Sequence, residues 1–191
     1  MSAATEHRAA TYADLEALPP GLVGELIDGE VVASPRPGPR HALASSALGA
    51  LLGGPFQFGV GGPGGWWTLD EPELHLGADV LVPDLAGWRV ERMPALPTEA
   101  WFELRPDWVC EVLSPSTERI DRLRKLALYA RAGVPHVWLL HPEQRTLEIF
   151  ALESGTWRVT IVDGEAPVRA TPFEAVELAF PLLWATPTAP G

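Results

Sequence analysis

Cysteine is almost missing from this 191-residue sequence, with Cys110 its single example. That excludes an internal disulfide and any zinc site built on cysteines, and it fits a reducing, cytoplasmic setting. Its position inside an apolar run reads as a buried hydrophobe. Uninterrupted apolar stretches of membrane-spanning length are also missing, and the N-terminus has no signal-like apolar region, so no membrane partner is expected. Positive charge is scarce. Fourteen basic residues face 25 acidic ones, a net charge of −11, and such a surface repels nucleic acid over most of its extent. Lysine is scarcer still: Lys125 is the only lysine, the other 13 basic residues being arginine. The glycine-rich run Phe58–Gly65 lacks the following Gly-Lys-Ser/Thr and is no phosphate loop of that kind.

What is present describes a folded protein. Apolar residues make up 47% of the chain and charged residues 20%, which fits one domain with a sizeable core. The reading is a loose leader over 1–10, a single domain over 11–184 and a frayed tail over 185–191. Thr11 caps a short helix that ends before Pro19-Pro20. LVGELIDGEVVAS is an N-terminal β-hairpin turning at Asp28-Gly29. Pro39 begins a helix carrying His41, Leu48 and Leu52, closing at Gly53-Gly54. Trp66–Leu69 and Glu73–Leu76 read as one strand or as two short ones broken at Pro72, and Asp79–Trp88 as a further strand interrupted at Pro83-Asp84. Arg89–Pro106 is a long proline-rich loop. A second hairpin turns around Glu153-Ser154-Gly155, and Phe173–Trp184 is a closing strand or docking segment. The eight tryptophans sit mostly among apolar neighbours, which favours core packing over base stacking.

The most informative stretch is Asp107–Pro142. It reads as a buried strand, a helix capped by Ser116 or Thr117 and stopped at Gly133, and a second buried strand: a β-α-β unit. Glu111 lies inside the first strand, where a carboxylate is costly unless it is paired or holds a metal. Asp84 ends a run of the same apolar character. If those strands are neighbours, the two carboxylates converge at one edge. With backbone oxygen and water they form the ligand set of a hard divalent cation such as Mg²⁺. Glu73 is a further candidate ligand from the adjoining strand. Lys125, on the helix after Glu111, can reach over the same edge, although Asp121 four residues earlier also suits a helix salt bridge. Lysine offers a compact charge that can change protonation state, which arginine does not. Arg119, Arg122, Arg124 and Arg131 make that helix locally basic, most simply as a solvated face. His41 is a polar-face residue or a substrate contact. His75, two residues after Glu73, lacks a zinc spacing. Ser114 lacks a G-x-S-x-G setting, and His136 and His141 read as structural.

Pro83-Asp84, then Glu111-Val112-Leu113, then a helix supplying Lys125, resembles the PD-(D/E)XK nuclease superfamily. Within it, ELIDGEV (Glu25–Val31), VPDLAGW (Val82–Trp88), EVLSPST (Glu111–Thr117), Asp121, Lys125, Tyr129 and AGVPHVWLLHP (Ala132–Pro142) are similar in order to the Uma-type putative restriction endonuclease family. The likeness runs from about Thr11 to Trp184. It implies an α/β fold of restriction-endonuclease type, a central mixed sheet flanked by helices, and commonly a homo-oligomer (dimer or tetramer). It also implies a metal centre in which Asp84 and Glu111 are ligands, the Val112 carbonyl assists and Glu25 joins from the hairpin. One position departs from the superfamily pattern: Leu113 stands where the lysine two residues after the glutamate is usual. The resemblance places that charge on the helix, at Lys125.

Three functions follow. The first is a Mg²⁺- or Mn²⁺-dependent DNA endonuclease with Asp84, Glu111 and Lys125 as its catalytic residues; DNA as partner is opposed by the net charge. The second is a protein that keeps the nuclease fold for binding, without useful turnover. The third is a metal-dependent hydrolase of smaller phosphoesters.

Overall fold

The structure, a computed structural model, describes residues 8–186. Residues 1–7 of the expected leader and 187–191 of the expected tail lie outside the described residues. Thr11 opens α1 (Tyr12–Glu16), with the Asp14 carboxylate returning to the Thr11 amide at 2.7 Å. Strands β1 (Leu22–Ile27) and β2 (Glu30–Pro35) form the expected hairpin. Its two-residue turn places Asp28 at φ 50° and Gly29 at φ 76°, both left-handed, which matches the twist of the flanking strands. Helix α2 (Pro39–Leu52) starts at proline as expected but does not stop at Gly53; it runs on through a π-helical turn, Gly53–Gln57.

The apolar segments that follow are divided between two sheets. β3 (Trp66–Asp70) and β4 (Leu74–Leu76) are separate strands, as are β5 (Asp79–Leu81) and β6 (Leu85–Arg89). β5 and β4 extend the hairpin into a four-stranded antiparallel sheet of order β2-β1-β5-β4. β3 and β6 belong to a six-stranded sheet of order β10-β9-β8-β7-β6-β3. In it β7 (Trp108–Val112) and β8 (His136–His141) run parallel and the other pairs antiparallel. Val82-Pro83-Asp84 is therefore where the chain returns from the smaller sheet to the larger one.

A helix over 118–132 joins β7 to β8, as a parallel pair requires. It comprises α3 (Glu118–Ile120), a π-helical turn (Asp121–Lys125) and α4 (Leu126–Ala132), and it ends on Gly133 at φ 74°. β9 (Thr146–Glu153) and β10 (Thr156–Asp163) form the second hairpin.

The six-stranded sheet is covered on both faces. On one, Ala44, Leu48 and Leu52 of α2 meet Trp108, Cys110 and Trp138, and Phe173, Phe180 and Leu183 close over them. The segment after Phe173 is thus a docking segment ending in a short 3-10 helix, Phe180–Trp184, and not a strand. On the other face Val109, Leu113, Ala86 and Trp88 pack against Leu126, Leu128 and Tyr129 of α4 and Ile27, Leu74 and Leu81 of the smaller sheet. Trp88, Trp108 and Trp138 are fully buried, so core packing is their role. Cys110 is buried as well, and burial raises its thiol pKa.

Candidate active site

The strand register brings Asp84 and Glu111 together. Leu85 pairs with Cys110 across β6 and β7. One step outward Asp84 faces Glu111, and directly opposed residues of an antiparallel pair project to the same side. That side is the face of Ala86, Trp88, Val109 and Leu113. Where the β6 ladder stops, the Asp84 side chain continues it: the Val112 N–H donates to its Oδ2 at 2.7 Å. The Val112 carbonyl leaves the strand on the same edge. His41 enters from the first turn of α2, its Nε2 3.1 Å from Asp84 Oδ1. Burial lowers the pKa of His41, but Asp84 outweighs it and the net shift is upward.

Glu111 is 2% exposed and both of its oxygens are engaged. Tyr129 donates to Oε1 at 2.5 Å and Lys125 to Oε2 at 3.2 Å. Lys125 is 5% exposed and meets two more carboxylates, Glu25 at 2.8 Å and Asp121 at 3.5 Å. Three N–H donors thus face three carboxylates, which a tetrahedral ammonium satisfies and a planar guanidinium does not. Burial alone depresses its pKa; Glu111, Glu25 and Asp121 overcome that and lift it well above the ordinary lysine value. The three carboxylates therefore favour the charged ammonium of Lys125 over the neutral amine.

The excess charge here is negative. Glu25, Asp84, Glu111 and Asp121 are four carboxylates around one fixed ammonium. Burial, followed by the neighbouring acids, drives the Glu111 pKa well up against the pull of Lys125, and burial raises Asp121. Carboxylates under-compensated in this way favour a cation or a proton. Among the described residues no three His, Cys, Asp or Glu side chains form a ready metal cage. The oxygen donors that this edge offers are Asp84, Glu111 and the Val112 carbonyl, of the kind a hard divalent cation takes together with solvent.

These groups line a cleft of about 670 Å³ between the hairpin, the start of α2 and the Ser114–Thr117 turn. Asp84, Glu111, Lys125, Glu25, Asp121 and His41 all reach it. Glu73 does not. It immediately precedes β4, which pairs with β5 in the smaller sheet, and its Oε1 accepts from Tyr12 at 2.9 Å and contacts His75 Nε2 at 2.7 Å. The expectation that Glu73 ligates a shared metal is corrected accordingly. His75 stacks on Trp101, and the Ser114 hydroxyl bonds Ser116 and Thr117 at the helix start. No tryptophan lines the cleft.

Three of the arginines of the 118–132 helix are committed elsewhere. Arg122 bridges Glu118 and Glu148, Arg124 reaches Glu30, and Arg131 reaches Asp28 and Asp79. They tie the helix to both hairpins. Tyr129 had no assigned role from sequence, yet a signal existed: it lies four residues after Lys125, on the same helix face. Arg36 and Arg40 also line the cleft, and no periodic pattern marked them.

A family model named Uma2, with the description "Putative restriction endonuclease", matches residues 9–183. The fold is similar to a crystal structure from Anabaena variabilis described as a putative nuclease belonging to DUF820. The TM-score is 0.72 at 22% identity, covering 91% of this chain and 97% of that chain. No curated protein matches the chain. Among the described residues no helix is long and apolar enough to cross a membrane. The architecture, a central mixed sheet flanked by helices with an N-terminal hairpin, is of the restriction-endonuclease-like kind.

Proposed function

From the premise that the chain belongs to the Uma2 family of putative restriction endonucleases, we propose that it is a DNA endonuclease dependent on Mg²⁺ or Mn²⁺. One observation carries this reading. Asp84 and Glu111 face each other at the open end of β6 and β7, and the ammonium of Lys125 contacts Glu111 at 3.2 Å. This contact supports Lys125 as the stand-in for the lysine that Leu113 replaces. Leu113 is a core residue at 3% exposure, and the charge expected two residues after the glutamate arrives from the helix.

Asp84, Glu111 and the Val112 carbonyl would hold the cation. Bound there, it would polarise a phosphoryl oxygen and acidify a coordinated water. The remaining work falls to the chain itself. Val112 fixes the Asp84 carboxylate, and Tyr129 with Lys125 fixes that of Glu111. Lys125, held charged by three acids, supplies an unchanging positive field where negative charge develops in the transition state. The low accessibility of the Glu111–Lys125–Asp121 group keeps that field poorly screened.

A second reading, a nuclease fold retained for binding alone, draws on the net charge of −11. Nicking of supercoiled plasmid in Mg²⁺ or Mn²⁺ separates the two. The wild type nicks, and Asp84→Ala, Glu111→Ala and Lys125→Ala each lose at least about a hundredfold in rate, the scale of removing one preorganised electrostatic group. Equal nicking by all four proteins would assign the activity to another source. DNA binding without nicking by the wild type would favour the second reading.

A further inference from the structure

Arg36 and Arg40 stand apart from the other arginines. Both are exposed, both line the cleft, and neither has a carboxylate within ion-pair distance among the described residues. Arg8, Arg92, Arg122, Arg124, Arg131, Arg145 and Arg158 are each paired with an acid, and Arg89, Arg105, Arg119 and Arg169, which have no such pair among the described residues, lie outside the cleft. In a chain with 25 acidic residues against 14 basic ones, two unpaired cations at the mouth of an acidic site call for a reason.

Their setting supplies one. Arg40 lies in the first turn of α2, where a cation opposes the helix dipole, and that turn holds no acidic residue and no side-chain cap. The positive helix end is left uncompensated and carries extra positive charge, which favours an anion in front of it. Arg36 sits in the run Pro35-Arg36-Pro37-Gly38-Pro39-Arg40. Three alternating prolines restrict that backbone, so holding the two guanidinium groups in place costs little further order on binding. His41, which contacts Asp84 at 3.1 Å, is the next residue. The arm is thus joined directly to the catalytic edge.

We infer that Pro35–Arg40 is a phosphate-binding arm, with Arg36 and Arg40 gripping the backbone of duplex DNA beside the phosphodiester presented to Asp84 and Glu111. The inference rests on the nuclease reading and adds how an acidic protein engages a polyanion: through a local positive rim on an otherwise repelling surface. Guanidinium suits this task because it contacts phosphate oxygens in bidentate fashion.

The test measures binding of a short duplex oligonucleotide by fluorescence anisotropy in metal-free buffer across a salt series, and plasmid nicking at limiting DNA in Mg²⁺. The Arg36→Ala/Arg40→Ala double variant should bind roughly tenfold or more weakly at low salt. The slope of log affinity against log salt should fall by about 1.8, the loss of two phosphate contacts, and nicking should slow by a matching factor. Arg36→Lys/Arg40→Lys should keep most of the slope. Arg119→Ala, which removes an exposed arginine outside the cleft, should alter neither readout. Unchanged affinity and slope in the double alanine variant, beside a wild type that binds and nicks, would overturn the arm alone. An equal loss in Arg119→Ala would reduce the effect to bulk charge and also overturn it. A wild type that neither binds nor nicks DNA would remove the nuclease reading and the arm with it.

Discussion

The ammonium of Lys125 lies 2.8 Å from Oε1 of Glu25, joining the helix after β7 to a hairpin strand a hundred positions earlier in the chain. The same oxygen accepts from the Val82 N–H at 2.8 Å, two residues before Asp84. One buried lysine therefore ties the hairpin, the sheet crossover and the strand of Glu111 together. Lys125→Met would leave the surrounding carboxylates without their fixed cation, a loss of about 3–5 kcal/mol. For a chain of this length that corresponds to a fall in Tm of roughly 6–20 °C. In a Glu25→Gln background the same substitution should cost measurably less, because one stranded carboxylate has already gone. Thermal denaturation of the two single variants and the double variant checks this, and strict additivity would contradict the coupling.

Tyr129 extends the network. Its hydroxyl donates to Glu111 Oε1 in a fully buried position. Tyr129→Phe keeps the ring and removes the donor, leaving a buried carboxylate oxygen unmet. A hydrogen bond to a charged group contributes about 1.5–3 kcal/mol, so Tm should drop by roughly 3–12 °C, with slower nicking from a less firmly held Glu111. An unchanged Tm would mean the bond is dispensable to the fold.

The unit built on β7 and β8 was legible because each local signal agreed with its neighbours: an apolar strand, a helix start at Thr117, although its side chain makes no capping bond, and Gly133 where a left-handed residue ends the helix. The meeting of Asp84 and Glu111 followed from two interrupted apolar runs that pair in one sheet. Glu73 was misplaced because nothing in its local pattern says that β4 joins the other sheet; that depends on the chain changing sheets between β3 and β4, a long-range choice. The three-carboxylate cradle of Lys125 was hidden for a similar reason. Asp121 was visible at helical spacing, but Glu25 approaches from the far hairpin, and the π-helical turn over Asp121–Lys125 has no sequence signature. Helix arginines that read as a basic face are spent on tertiary ion pairs, and exposure cannot be read from residue type alone.

His136 supplies a pH dependence away from the cleft. Its Nδ1 is buried without a hydrogen-bond partner, and burial holds the ring's pKa below the ordinary histidine value. The folded state prefers the neutral ring. Its contribution is complete above the unfolded pKa, near 6.5, and is lost as pH falls through the lower folded value. His136→Gln removes this titration. The Tm difference between wild type and variant should be constant above about pH 6.5 and should move against the wild type as pH falls further. A difference that moves in the wild type's favour toward acid would contradict the assignment.

A single divalent cation shared by Asp84 and Glu111 is the feature on which the proposed nuclease chemistry depends. Titration calorimetry with Mn²⁺ measures this without reference to catalysis. The wild type should bind one ion per chain at the cleft, with proton release that grows toward acid pH because binding requires Glu111 ionised. Asp84→Asn and Glu111→Gln should each lose at least about tenfold in affinity, the scale of disturbing a metal ligand or its support. Variants that bind Mn²⁺ as the wild type does, or a wild type that binds none, would contradict it.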